Sequence, residues 1–130
     1  MRPFPPASEL SFLKGCELSN VTLQPYSADF AFVEGHLLVV EHGLEYIDCD
    51  GRKFVHDPQR RLGPDPVYFH ALIGERIGRI VVDVHRLSLA FPRGRMLTIL
   101  SKDGPYESGH LNTGSYDEHG VLRGIGLIVF

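Results

Sequence analysis

The sequence has few of the residues that build disulfide-rich, zinc-binding or membrane proteins. Its 130 residues include two cysteines, Cys16 and Cys49, and no tryptophan. Two cysteines are too few for a disulfide framework or a four-thiolate zinc site. No apolar run approaches the roughly 20 residues of a membrane span, and the first ten residues lack the apolar core of a secretory signal. We therefore expect a cytoplasmic protein without a membrane partner.

The chain also lacks a strong excess of charge of either sign. Its formal net charge is −3 and its pI is about 6.1, so no overall basic field attracts nucleic acid, and we expect no nucleic-acid partner. Apolar residues make up 43% and charged residues 22% of the chain, which is typical of one folded domain. The 14 glycines and 9 prolines favour short strands joined by turns.

The sequence does contain two segments that are similar to each other. Segments 13–40 and 72–99 align without a gap at an offset of 59 residues, with six identical positions and apolar character kept at several others. The identical pairs are Leu13/Leu72, Gly15/Gly74, Ala31/Ala90, Phe32/Phe91, Gly35/Gly94 and Leu38/Leu97. This internal similarity predicts a duplication within the chain. The alternative is that two unrelated hairpins converged on the same turn chemistry.

Each copy contains a predicted β-hairpin. In "AFPRGRML", Pro92 suits the second position of a type I turn and Gly94 the left-handed position of a G1 bulge. "AFVEGHLL" allows the same turn with Gly35 at the bulge. Strand alternation then places one face of each hairpin in the core. The residues of these faces are Ala28, Phe30, Phe32, Leu38 and Val40 in the first copy and Leu87, Leu89, Phe91, Leu97 and Ile99 in the second.

A strand and a short helix precede each hairpin. The strands are predicted over Glu17–Gln24 and Arg76–Val84. The second helix has Asp65 as N-cap, Pro66 at its first position and Gly74 after its end, and the first helix ends in the same way at Gly15.

The copies diverge after each hairpin. The first continues into a third hairpin that turns at Asp50-Gly51, and the second into a loop over Asn112–Gly120 and a final strand, Ile125–Phe130. We predict a mainly β protein with one or two short helices. Residues 1–130 form a single domain of two repeated helix-plus-β-meander units, about 7–65 and 66–130, packed into one barrel or sandwich.

Catalytic motifs are absent from the sequence. The seven histidines are scattered, with no His-x-His or His-Glu-x-x-His pair, so we predict surface or capping roles for them and no metal or other cofactor. The most concentrated polar group is "YESGHL", in which Tyr106, Glu107 and His110 are the candidate ligand-binding residues. A Glu–His pair suits general acid–base chemistry, although strand alternation separates Glu107 from His110 unless the strand bulges at Gly109.

Arg123 and Gly124 support a second interpretation. Arg-Gly before a closing strand, and a helix followed by five strands, resemble Sm-like RNA-binding barrels, and that resemblance implies RNA contacts at these two residues. The Asp-x-x-x-Asn loop of such proteins is missing from "YSADFAF".

A broader resemblance covers nearly the whole chain. Leu13-x-Gly15, the Phe32–Leu38 hairpin, "DGRKFVHDP", "ALIGERI", "YESGHL" and "GIGLIVF" occur in this order. The pattern resembles a domain-of-unknown-function family of short uncharacterised bacterial β-rich proteins. Members typically read Tyr-Glu-x-Trp, and Gly109 replaces that tryptophan here. The resemblance implies no established activity and therefore no catalytic residues.

From these observations we predict a non-enzymatic protein-binding or immunity-type accessory protein. Its partner is another protein or a second copy of the chain, because exposed strand edges favour homodimers. The alternatives are an Sm-like RNA-binding module and a small-molecule enzyme that uses Glu107 and His110. We expect any site to lie where the copies differ, after Glu41 and after Leu100.

Overall fold

Antiparallel strands dominate the computed structural model, which describes residues 3–59, 69–101 and 108–130, with the backbone alone at 122–125. The strands are β1 (Leu18–Leu23), β2 (Ala28–Phe32), β3 (Leu37–Val40), β4 (Leu44–Ile47), β5 (Lys53–His56), β6 (Arg79–Asp83), β7 (Arg86–Ala90), β8 (Met96–Leu100), β9 (Gly109–Tyr116) and β10 (Leu122–Val129). The predicted mainly β class is confirmed. Helix α1 (Ala7–Leu10) continues into a 3-10 turn at Ser11–Leu13, and further 3-10 turns lie at Phe69–Leu72 and Pro92–Gly94.

The strands form two five-stranded sheets. Sheet 1 has the order β1-β2-β3-β9-β10 and sheet 2 the order β5-β4-β8-β7-β6. Each half of the chain therefore contributes a three-stranded meander to one sheet and a two-stranded hairpin to the other. Within the described ranges neither sheet closes into a barrel: β1 and β10 are the edges of sheet 1, and β5 and β6 are the edges of sheet 2.

The two predicted hairpins are present and close alike. Phe32 N–H donates to His36 O (2.9 Å), and Phe91 N–H donates to Arg95 O (2.8 Å). Gly35 and Gly94 have φ angles of 103° and 74°, in the left-handed region that glycine adopts without steric cost. The second turn differs from the predicted type I geometry because its residue 93, an arginine, also has a positive φ. A proline at the second turn position suits more than one turn type, so the sequence does not distinguish them.

One apolar cluster lies between the sheets. All ten residues of the two predicted hairpin faces are buried in it, which confirms the alternation argument. Phe69 lies within this core, where its ring centroid is 5.4 Å from that of Phe30 in sheet 1 and 5.9 Å from that of Tyr46 in sheet 2. Full burial of such a side chain stabilises the fold by about 2 kcal/mol. The core thus joins both sheets and both halves of the chain.

A seam connects the two sheets just before β1 and β6. Glu17 and Arg76 form an isolated antiparallel bridge there. Four backbone hydrogen bonds flank the bridge: Gly15 N to Ile77 O (2.7 Å), Gly74 N to Leu18 O (2.8 Å), Leu18 N to Glu75 O (3.0 Å) and Ile77 N to Cys16 O (3.0 Å). Each bond donated by the first half has a counterpart donated by the second half, at positions 59 residues apart. Gly15 to Ile77 corresponds to Gly74 to Leu18, and Leu18 to Glu75 corresponds to Ile77 to Cys16. The seam is therefore reciprocal between the halves.

The predicted loop over Asn112–Gly120 is wrong in its first part. Strand β9 extends to Tyr116, and the turn to β10 occupies residues 117–121, where Asp117 Oδ1 accepts backbone N–H groups at 2.9 Å. Strand β9 has partners on both sides, since Asn112 lies opposite both Leu37 and Leu127. Hydrogen-bonded pairing with β3 and β10 keeps this segment in a strand, although its composition is typical of a turn. The predicted helix start at Asp65 and Pro66 lies outside the described residues.

Candidate functional site

Of the candidate ligand-binding residues, the structure describes only His110. Tyr106 and Glu107 lie outside the described ranges. His110 is in β9, opposite Val39 and Val129, while the next residue, Leu111, is buried in the core. Its side chain is therefore half-buried on the outer face of sheet 1. Whether it meets Glu107 stays a prediction.

The resemblance drawn from the sequence places a tryptophan at the position of Gly109. Here Gly109 and Phe130 exchange backbone hydrogen bonds (3.1 and 3.2 Å). A Cβ atom at this position would clash with the carbonyl oxygen of Val39 and lie 2.8 Å from Cζ of Phe130. Because these neighbours occupy the space, this backbone has no room for any side chain at residue 109.

Arg123 and Gly124, the residues of the RNA-binding alternative, lie in the edge strand β10. They pair with Ser115 and Gly114 of β9, and their side chains are outside the description. The pairing gives their backbone position and leaves RNA binding a prediction.

A surface cleft of about 440 Å³ opens where the chain crosses between the sheets. We name it the crossover cleft; its lining residues are His42, Gly43, Asp57, His85, Arg86, Leu100 and Ser101. They come from the β3–β4 crossover, the chain after β5, the β6–β7 hairpin and the end of β8. Two of these segments are the places after Glu41 and after Leu100 where the repeated copies diverge. Part of the cleft lining therefore lies at the two places where the divergence of the copies led us to expect a site.

Backbone hydrogen bonds fix three walls of the crossover cleft. Leu100 N–H donates to Gly43 O (3.0 Å), and Ser101 N–H donates to His85 O (2.9 Å). Arg86 lies opposite Leu100 in the β7–β8 ladder. A Cβ atom at Gly43 would come within 3.0 Å of Leu100 Cδ1, so glycine allows the crossover to approach β8 closely. These ties hold the lining residues in place before any ligand binds.

Gln59 fixes the fourth wall. Its side-chain amide donates to the carbonyl oxygens of Glu41 (2.7 Å) and Tyr26 (3.2 Å). Its backbone N–H donates to Asp57 Oδ1 (3.0 Å). One glutamine thus anchors the segment after β5 to the β3–β4 crossover and orients the Asp57 carboxylate.

A three-residue charge cluster on the outer face of sheet 2 adjoins the cleft. Arg86 donates to Glu45 Oε2 (2.7 Å), and Lys53 Nζ lies 3.2 Å from Glu45 Oε1. The Glu45 side chain is only 13% exposed, whereas the two cations are about half exposed. Each pair at such a site contributes about 1 kcal/mol or less to stability. The cluster nevertheless fixes the direction of the Arg86 guanidinium at the cleft.

A second polar cluster is structural. Arg95, 7% exposed, donates to Ala71 O (2.5 Å), to Glu75 (2.9 Å) and to Pro92 O (3.3 Å). It therefore satisfies a carbonyl of the Phe69–Leu72 turn and links that turn to the second hairpin. Burial raises the pKa of the neighbouring Tyr46 hydroxyl, and the positive charge of Arg95 partly opposes the rise.

Sequence reasoning missed most of the crossover cleft. It assigned His42 and His85 to surface or capping roles and gave Asp57 and Arg86 no role. The available signal was the divergence of the copies after Glu41 and Leu100, which points to two of the four walls. The other two walls reach the cleft through strand pairing, and a single sequence does not reveal that pairing.

The comparisons with known proteins add no relative. No protein family, curated protein or solved structure matches the chain. In the part of the chain that the structure describes, no group of three or more histidine, cysteine or acidic side chains is arranged to hold a metal ion. No helix within those ranges is long and apolar enough to span a membrane.

Proposed function

We propose that the protein is a non-enzymatic protein-binding module that pairs with a second polypeptide strand along the open edge of β10. The observation that carries the proposal is the position of β10. This eight-residue strand is the last in sheet 1, and β9 is its one partner among the described strands. An unpaired strand edge is a template for adding a strand from another chain.

The register of β9 and β10 identifies the groups that face outward. Gly109 and Phe130 exchange both backbone hydrogen bonds, so residues opposite each other alternate between bonded and non-bonded pairs from that point. Leu127 and Val129, opposite Asn112 and His110, are therefore in non-bonded pairs. Their N–H and C=O groups point to the open edge, where they are available to an added strand.

The two edges of sheet 2 carry features that discourage pairing. Strand β5 has only four residues and includes Lys53, and β6 begins and ends with Arg79 and Asp83. The chain near the N-terminus also bonds to the residue after β6, since Phe4 N–H donates to Val84 O (3.2 Å). Charges and short length protect an edge. The segment Gly124–Phe130, which includes the part of β10 after Arg123, contains no charged residue and no proline, so this part of the edge lacks these protections.

The occupant that we assign to the β10 edge is β10 of a second copy, paired antiparallel. Such pairing is self-complementary about a twofold axis, as closed homodimers require, and it extends sheet 1 to ten strands. Leu127, 61% exposed, then contacts side chains on the outer face of the partner's β10 and becomes less exposed to water. An immunity-type role corresponds to the same edge receiving a strand of a toxin.

A backbone-specific substitution tests the proposal. Leu127→Pro removes an N–H that faces the open edge and takes part in no β9–β10 bond, which is where an edge strand tolerates proline. We expect light scattering to give twice the 14.5 kDa chain mass for the wild type and for the control Leu127→Thr, which keeps the N–H. We expect the single-chain mass for Leu127→Pro, with circular dichroism showing that it is folded.

Two results would contradict pairing along β10. A monomeric wild type at about 100 μM, well above the micromolar dissociation constants of weak specific dimers, would exclude the second copy as occupant. A dimeric Leu127→Pro variant would show that the chain associates through another surface.

We also propose that the two halves, residues about 7–65 and 66–130, are copies of one unit packed into a single sandwich-like domain. The exchange of hairpins between the sheets and the reciprocal seam support this. Convergence of two unrelated hairpins does not account for seam hydrogen bonds that keep the same 59-residue offset. We retain a bacterial cytoplasmic location as part of the proposal, which the unbridged cysteines Cys16 and Cys49 support.

A further inference from the structure

We propose that the crossover cleft binds a small organic oxyanion, a carboxylate or phosphate group on a hydroxyl-bearing skeleton. The inference is independent of pairing along β10, because the cleft is lined by neither β9 nor β10. A volume of about 440 Å³ lies within the range of small-molecule sites.

Arg86 supplies the charge for an oxyanion. Its guanidinium has five N–H donors in a planar fork, and one of its nitrogens donates to Glu45 Oε2. Lys53 shares the same carboxylate, so the three-residue cluster has a formal charge of +1, beside the separate carboxylate of Asp57 in the cleft lining. A guanidinium that is fixed in direction and not fully neutralised suits bidentate binding of a carboxylate or phosphate.

The remaining polar groups suit the rest of such a ligand. His42 and His85 contribute imidazole nitrogens, and Ser101, 5% exposed, contributes a hydroxyl at the wall. Asp57 contributes a carboxylate that one backbone N–H already orients. Carboxylate oxygens accept hydrogen bonds from ligand hydroxyls. The cleft therefore offers a cation for an acidic end and acceptors for hydroxyl groups.

The walls are held before binding, which lowers the entropic cost of association. Backbone bonds tie Leu100 to Gly43 and Ser101 to His85, and Gln59 ties the segment of Asp57 to the crossover. Four separate parts of the chain are therefore fixed around one space.

Three probes that share one skeleton test the ligand class: glycerol 3-phosphate, glycerate and glycerol. We expect ¹⁵N–¹H NMR titration of the full chain to give saturable shifts of the Gly43, Arg86 and Ser101 amides with one or both acids, at millimolar or lower concentration. Saturation by the phosphate alone assigns a phosphate ester, and saturation by glycerate alone assigns a carboxylate. Glycerol is expected to give no saturable shift.

Matched variants locate the interaction. Arg86→Gln should weaken binding about tenfold or more, because a charge-assisted hydrogen bond is lost. Arg79→Gln removes the same charge from the outer face of sheet 2 away from the cleft and should leave binding unchanged. If Arg86→Gln disturbs the fold, His42→Gln provides the test instead. This variant leaves the Arg86–Glu45 pair intact and should weaken binding by a smaller factor.

Three results would overturn the inference. The first is the absence of saturable shifts with either acid up to about 10 mM, a concentration above the range of specific weak binding. The second is an equal response to glycerol, which would show that no acidic group is recognised. The third is equal weakening by Arg86→Gln and Arg79→Gln, which would show that overall charge, and not the cleft, attracts the anion.

Discussion

Replacing Gly109 by alanine is the sharpest test of the packing between sheet 1 and the last residue of the chain. The added Cβ atom meets the carbonyl oxygen of Val39 and the ring of Phe130. Phe130 is held by its backbone hydrogen bonds with Gly109, and Val39 is held by the pairing of β3 with β9. Neither neighbour moves without disturbing pairing. The strand must therefore shift away from β3, or Phe130 must leave its buried position.

The expected loss follows from two contributions. Residue 109 has a φ of 157°, at the limit of the region that disfavours side chains, so conformational strain costs about 1 kcal/mol. Forcing a methyl group into filled space costs about 1–3 kcal/mol more. We expect Gly109→Ala to lower the free energy of unfolding by about 3 kcal/mol, measured by urea denaturation followed by circular dichroism.

Gly120→Ala provides the matched control. Gly120 has a φ of 74°, and a Cβ atom there meets nothing within 4 Å, so only the conformational contribution of about 1 kcal/mol applies. The difference between the two variants isolates the close approach of β3 and Phe130. If Gly109→Ala costs no more than Gly120→Ala, the contact between β9 and Phe130 is looser than described, and the reasoning fails.

Two further predictions concern titratable groups. Burial, with help from Glu34, raises the pKa of the Cys16 thiol to about 11, so at pH 8 iodoacetamide should modify exposed Cys49 and leave Cys16 unmodified. Mass spectrometry should show one adduct per folded chain and two in urea; two adducts on the folded chain would contradict the burial. Burial also lowers the pKa values of His36 and His56. The folded state therefore favours the neutral form of both imidazoles. Their contribution to the stability of the fold is fully present above about pH 6.5, the ordinary pKa of histidine, and is lost as the pH falls through their folded pKa values. The urea midpoint should therefore fall between pH 7.5 and 5.5, and fall less in a His36→Gln/His56→Gln double variant; an equal fall in both would assign the effect to other groups.

The hairpins were predictable because their information is local. Glycine at residues 35 and 94 and the Asp50-Gly51 pair mark turns through backbone conformations that few other residues adopt. Strand alternation on either side then identified the buried faces, and all ten of those residues are in the core. Short-range chemistry was sufficient for these elements.

The pairing of the strands was not predictable in this way. Strand β4 pairs with β8, and β3 pairs with β9, across sequence separations that no turn motif marks. The same limit explains the error at Asn112–Gly120, where polar, turn-like residues form a strand because β3 and β10 flank it. Composition describes the local preference, and tertiary pairing decides the outcome.

Arg95 and the crossover cleft illustrate the limit for polar groups. Arg95 directly follows the second hairpin turn and had no assigned role in the sequence, yet it is buried and donates to Ala71 O and Glu75. His85 and Asp57 reach the cleft from different strand ends. A side chain's role depends here on neighbours that only the folded topology supplies.

The exchange of hairpins between the two sheets has a consequence for synthesis of the chain. When the first 59 residues have been made, β3 and β4 exist without their neighbours β9 and β8, which both lie in the second half. A half-made chain therefore exposes two interior ladder edges at once, and such edges promote aggregation. The edge of β4 can be covered once β8 has been made and that of β3 only once β9 has been made, so the native sheets are completed late in translation.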